Sequence, residues 1–281
     1  MPVELFQPTN REGIEMDDAQ ELDDDRTIMT SSRWRRYFRA NRDNLLTPPW
    51  GDGAQLTEAE RDAIAGSIAE FQLGESSEGK HLIAAARQWA GHAEDPDYVL
   101  AVGMFIAEEN RHAGDLGRFM DLEGIAGKKR TFADSVFRRL RKLARLELSI
   151  SVLVTAEVIA QVYYQALAAA TGSTILRALC EQILRDEDRH VRFQCERLAI
   201  LRRHRGPACR ALCTAAHRVL MLGAILVVWM NHGRALAAGG HGWRRFWRST
   251  WDHAERAFRV ADSVFHVPQT SAERAAVRSL G

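Results

Sequence analysis

Glu109-Asn110-Arg111-His112 and Glu187-Asp188-Arg189-His190 repeat one spacing, Glu-x-x-His. Residues three apart on a helix lie on one face about a turn apart, so each pair can offer a carboxylate oxygen and an imidazole nitrogen to one cation. Glu157 adds a third position. It is the only charged residue between Leu148 and Leu176, and a helix apolar on all sides is buried in a core. An ionised carboxylate there costs roughly several kcal/mol unless it meets a cation or gives up its charge. Hard oxygen and imidazole donors of this kind suit iron or manganese better than a thiolate-loving metal.

The elements that must position these residues read as helices. Thr57-Glu58-Ala59-Glu60 has the form of a capping box. The helix expected after it carries Ile64, Ile68, Phe71, Leu82 and Trp89 on broadly one face. Asp95-Pro96 starts a second helix with Val99, Val102, Ile106, Leu116 and Met120 on its apolar side, ending near Gly124. A third is expected from about Asp134 to Ala170, with an arginine-rich first half, then a tight turn at Thr171-Gly172-Ser173. A fourth runs to about Arg203 and a fifth from about Ala208 to Ala238, followed by a Trp- and Arg-rich amphipathic segment. No segment alternates with period two for long, so the class is all-α.

Antiparallel neighbours place residues equally distant from their turn side by side. Glu157 precedes Gly172 by fifteen residues and Glu187 follows it by fifteen, which sets both carboxylates at one level. In the first hairpin Glu109 lies about fifteen residues beyond the turn near His92 to Asp95, so its partner falls near Glu75 or Glu78. Four helices supplying Glu, Glu-x-x-His, Glu and Glu-x-x-His describe the di-iron carboxylate arrangement of an antiparallel four-helix bundle. The motif alone is weak, as the decoy Glu78-Gly79-Lys80-His81 shows. The paired levels carry the reading.

Ala107-Glu108-Glu109-Asn110-Arg111-His112 with Asp115-Leu116, and Asp186-Glu187-Asp188-Arg189-His190, resemble the second- and fourth-helix motifs of the soluble acyl-carrier-protein desaturases. The resemblance covers about half the chain and implies a ferritin-like fold. It implies Glu75, Glu109, His112, Glu157, Glu187 and His190 as catalytic metal ligands for two iron ions, with manganese as the variant, and favours Glu75 over Glu78. It also gives Asp186 the role of orienting a ligating histidine. The sequence departs from those enzymes one turn after Glu157, where Ala160 and Gln161 stand in place of their threonine.

The expected organisation is an N-terminal extension over 1–55, partly flexible, a ferritin-like bundle over 56–205, and C-terminal helices over 206–281 packed on it. The acidic run Asp17 to Asp25 and the basic aromatic run Arg33 to Arg39 can neutralise each other, or the basic run can dock on the core. The expected activity is oxidoreductase chemistry: O2 activated to oxidise, hydroxylate or desaturate a small, apolar organic molecule, with electrons from a separate donor protein. An iron-handling ferroxidase, a dimanganese catalase-like enzyme and a non-catalytic scaffold are the alternatives. Tyr164, seven residues after Glu157, reads as a core tyrosine near the site.

A formal net charge of +1 gives no field that argues for nucleic acid. The uncharged run Val219 to Gly233 is shorter than the ~20 residues that span a bilayer, so no membrane span is expected. Cys180, Cys195, Cys209 and Cys213 form no CxxC pair and read as idle thiols in a reducing cytoplasm. A homodimer is a further expectation.

Overall fold

The computed structural model describes residues 28–76, 79–129 and 146–262. Within them the chain is all-helical. Helix α1 spans Ser31–Arg42, α2 Glu58–Glu75, α3 Lys80–Ala93, α4 Pro96–Glu123, α5 Leu146–Ala169, α6 Thr174–Arg202, α7 Pro207–Ala238 and α8 Trp243–Ala261, with a 3-10 turn at Trp50–Asp52. Helices α5 and α6 form the most extensive pair; α4 packs against α2, α3 and α6, and α7 and α8 cover α5.

Local chemistry sets the helix ends. The Thr57 hydroxyl accepts from the Glu60 amide while Glu60 accepts from the Thr57 amide, the capping box read from the sequence. Pro96 opens α4 behind the Asp95 cap, and Gly124 closes it at φ +65°. Ser173 caps α6 by accepting from the Leu176 amide. Of the helix expected from about Asp134, the described part is Leu146–Ala169; the arginine-rich half lies outside the described residues.

The first helix of the bundle differs from expectation. One continuous element was anticipated through Leu82 and Trp89, but α2 ends at Glu75 and α3 restarts at Lys80 after Gly79 at φ +60°. Small, weak helix formers fill this stretch. Gly79 also presses on α4, since a Cβ there would sit 2.3 Å from Ile106 Cδ1. Both the positive φ and the contact require glycine. Glu75 therefore stands at a helix end, not inside one.

Helix α1 docks on the core, one of the two alternatives left by composition. Trp34 and Phe38 are buried against Phe193 of α6, with ring centroids 5.2 Å apart in each case. The Trp34 indole donates to Glu196 at 2.8 Å. At the other end of the chain, Gly239 brings the terminus of α7 onto the backbone of α5, where a Cβ would meet the Ala166 carbonyl oxygen at 1.9 Å. His217 of α7 is buried beside Thr155, at 3.1 Å. Helices α5 and α7 are both long and apolar enough to cross a membrane by length and composition alone; α5 is mostly buried inside the protein and α7 is not. The fifteen-residue count underestimated α7, because the helix continues apolar beyond that run.

Two stability outcomes follow. Gly239→Ala forces backbone against backbone and should cost about 1–3 kcal/mol in denaturant unfolding, whereas Gly91→Ala, with open space around it, should be neutral or stabilising. Burial depresses His217 to about 4, helped by Arg202, so the folded state favours its neutral form. Its unfolded value is near 6.5, so its contribution is fully present above that pH and is lost as pH falls toward 4, by up to about 3 kcal/mol. Unfolding of the metal-free protein at pH 7 and pH 4.5 should show a smaller difference in His217→Gln.

Candidate metal centre

Four helices deliver the six expected residues to one buried volume. Glu75 comes from the end of α2, Glu109 and His112 from α4, Glu157 from α5, and Glu187 and His190 from α6. Glu75, His112, Glu157, Glu187 and His190 are all buried. Glu78, the other first-helix candidate, lies outside the described residues.

The ligand atoms gather in two groups. Glu75, Glu109, His112 and Glu187 form one; Glu109, Glu157 and His190 form the other. Glu109 is common to both. Glu187 reaches both as well, with Oε1 4.0 Å from His112 Nδ1 and Oε2 4.0 Å from His190 Nδ1. Two cation positions sharing two carboxylates are what this arrangement offers.

The outer nitrogens of both histidines are held by acids, and the holding is reciprocal. His112 Nε2 of α4 donates to Asp186 of α6 at 2.9 Å, and His190 Nε2 of α6 donates to Glu108 of α4 at 2.8 Å. Each acid immediately precedes a candidate ligand, Glu187 and Glu109 respectively. Ionised carboxylates only accept, so both Nε2 atoms carry hydrogen and each Nδ1 is left facing the centre. Asn41 of α1 ties the two acids together, donating from Nδ2 to Glu108 Oε1 and to Asp186 Oδ1, both at 2.8 Å. Gln182 and Arg111 also donate to Asp186. Tyr164 donates to Glu75 at 2.6 Å.

The inner atoms have no such partners. Both Glu157 oxygens, Glu187 Oε2, Glu109 Oε1, and the Nδ1 atoms of His112 and His190 are buried without a hydrogen bond. His190 Nδ1 and Glu109 Oε1 approach to 2.9 Å without the alignment of one. Leaving one buried polar atom unsatisfied costs about 1–3 kcal/mol. Six in one volume point to a missing common partner, and separations of 2.9–4.0 Å lie within twice a metal–oxygen bond of about 2.1 Å.

The electrostatics agree. Burial, then repulsion from Glu109, pushes the carboxyl of Glu75 well above its ordinary range, and the same two causes act on Glu187. Burial raises Glu157 to about 8. Burial opposes charge on Glu109 too, but His190 and His112 outweigh it and hold that carboxyl below its usual value. Burial likewise opposes charge on His190, and its hydrogen bond to Glu108 with the nearby carboxylates of Glu109 and Glu187 raises it regardless. Without a cation the site favours neutral Glu75, Glu157 and Glu187 and a charged His190 beside an ionised Glu109. Divalent cations would reverse both.

Asp186, expected to orient a histidine, lies against His112 Nε2. Glu108, Asn41 and the Tyr164 bond to Glu75 were missed. A signal for Glu108 was present: it precedes Glu109 as Asp186 precedes Glu187. Asn41 had none, since nothing in an exposed basic helix marks one polar residue as reaching inward. The four cysteines are unpaired, and Cys180 and Cys195 are buried. No family model, curated protein or solved structure matches the chain.

Because Glu157 is already disposed to be neutral at pH 7, Glu157→Gln should change the stability of metal-free protein by less than about 1 kcal/mol while removing a metal. Plasma emission analysis after loading should read two metals for the parent and one or none for the variant. Asp186→Asn and Glu108→Gln should weaken metal affinity about 10–100-fold in chelator competition.

Proposed function

We propose that the chain is a ferritin-like four-helix bundle, with α2–α3, α4, α5 and α6 as its four members, that holds two iron ions and uses O2 to oxidise an organic molecule. The observation that carries the reading is the pair of buried groups sharing Glu109, each containing one histidine whose Nδ1 lacks a partner. Bound iron would supply the electrons that reduce O2.

The side chains have distinct tasks in this reading. Glu75, Glu109, His112 and Glu187 would hold one ion, and Glu109, Glu157 and His190 would hold the other. Glu108 and Asp186 keep hydrogen on Nε2 of each imidazole and so keep Nδ1 available. Tyr164 fixes Glu75 at the helix end and is, among the described residues, the one hydroxyl bonded to a candidate ligand. Ile150, Val154 and Val158, buried on the same helix as Glu157, make that helix apolar, which suits an apolar substrate. Reductant would come from a separate electron-donor protein.

Anaerobic loading with Fe(II), followed by O2, tests this. Two Fe(II) oxidised per chain in a single turnover, with a new near-ultraviolet absorption lost in Glu157→Ala, is the expected result. Continued oxidation of excess Fe(II) without organic substrate would favour a ferroxidase. Manganese as the resident metal with rapid hydrogen peroxide breakdown would favour a catalase. Metal-free protein that takes up neither ion would overturn all three.

A further inference from the structure

Helix α7 turns its buried side, His217, Met221, Ile225, Val228 and His232, to the body of the protein. Its opposite side is also apolar and is not covered by any of the described residues. Leu212 is 70% exposed, Val219 68%, Leu226 50% and Met230 75%, the largest group of exposed apolar side chains on any described element. Ala216 and Gly223, also exposed, stand between them. A long exposed apolar strip of this kind marks an interaction surface.

The order of these residues narrows what can cover them. Leu212, Ala216, Val219, Gly223, Leu226 and Met230 follow one another at alternating steps of four and three. That is the 3.5-residue repeat by which one helix presents a seam to another helix. A bilayer responds to apolar area and has no use for such a register, nor for an alternation of large and small side chains. Large and small do alternate here: Leu, Ala, Val, Gly, Leu, Met. Turned end for end about a point near Met221, the list complements itself. Val219 then faces Gly223, Leu226 faces Ala216, and Leu212 faces Met230. Bulk meets a gap at the two inner pairs, the requirement for close packing across a twofold axis, where one patch must fit its own copy. Arg218 is engaged by Glu255 at 3.0 Å, which draws its charge off the strip.

We propose that α7 is a self-association surface and that a second copy of the chain covers it, the two α7 helices lying antiparallel about a twofold axis near Met221. None of the six candidate ligands lies on α7, so this assembly stands or falls independently of the oxidoreductase reading.

Mass in solution tests it first. At tens of micromolar the full chain should sediment at twice its 31.6 kDa mass, with or without metal. Val219→Glu/Leu226→Glu should sediment as a monomer while keeping the parent's helical circular dichroism and metal content. A second measurement fixes the direction. In a Cys209→Ser/Cys213→Ser background, Leu212→Cys chains mixed with Met230→Cys chains should form a mixed disulfide on mild oxidation, and Leu212→Cys alone should not. A monomeric parent, a double-glutamate variant that still dimerises, or ready cross-linking of Leu212→Cys alone overturns the proposal. So does a monomer that instead binds vesicles of neutral phosphatidylcholine through α7.

Discussion

Four carboxylates and two imidazoles occupy one largely buried volume, and among the described residues no lysine or arginine pairs with Glu75, Glu109, Glu157 or Glu187. Everything else in the protein is arranged around that constraint. Charged oxygens placed in a low-dielectric interior repel one another strongly, and the fold does not relieve this with guanidinium groups, as it does for Glu147 with Arg202 and Arg205 near the surface. It supplies donors mainly to the outer ring: Asn41, Gln182 and Arg111 to Asp186, and the imidazoles to Glu108 and Asp186, with the Tyr164 hydroxyl on Glu75 the exception. The inner ring is left for something with positive charge and no hydrogen.

The exchange of acids between α4 and α6 couples the two halves. Each helix presents a carboxylate inward and another, one residue earlier, to the histidine of its neighbour. A shift of α4 along α6 would break both histidine contacts together, so register and metal geometry are one property. Asn41 adds a third element to the lock. Helix α5 contributes one candidate ligand, Glu157, and the Tyr164 hydroxyl that holds Glu75, and around them it is packing: Ile150, Val154, Val158 and Val162 are fully buried. The division of labour is clear, with polar networks on two helices and a greasy wall on a third.

Much of this was legible in the residues. The isolation of Glu157 in an uncharged stretch gave its burial, and counting from the Thr171-Gly172-Ser173 turn gave its level opposite Glu187. Helix limits at Thr57, Pro96, Gly124 and Ser173 followed from capping chemistry, which is local. What escaped was non-local or conformational. Nothing in Gly79 announces that Ile106 of another helix leaves no room for a side chain, so the break after Glu75 could not be read. Asn41 lies 145 residues from Asp186 in the chain, and only the docking of Trp34 and Phe38 brings it there. The limits of α7 near Ala208 and Ala238 were read correctly, but its apolar reach was underestimated because it was measured between charges and not along the helix.

The reach of α1 into this network has a practical side. Its amide at position 41 is the last link before both imidazole-holding acids, and its position depends on Trp34 and Phe38 keeping their seats against Phe193. An expression scheme that trims the chain after Arg42, or fuses a bulky carrier directly at Ser31, would disturb atoms far from the cut. A preparation handled that way could arrive poor in metal through its engineering, with every ligand intact.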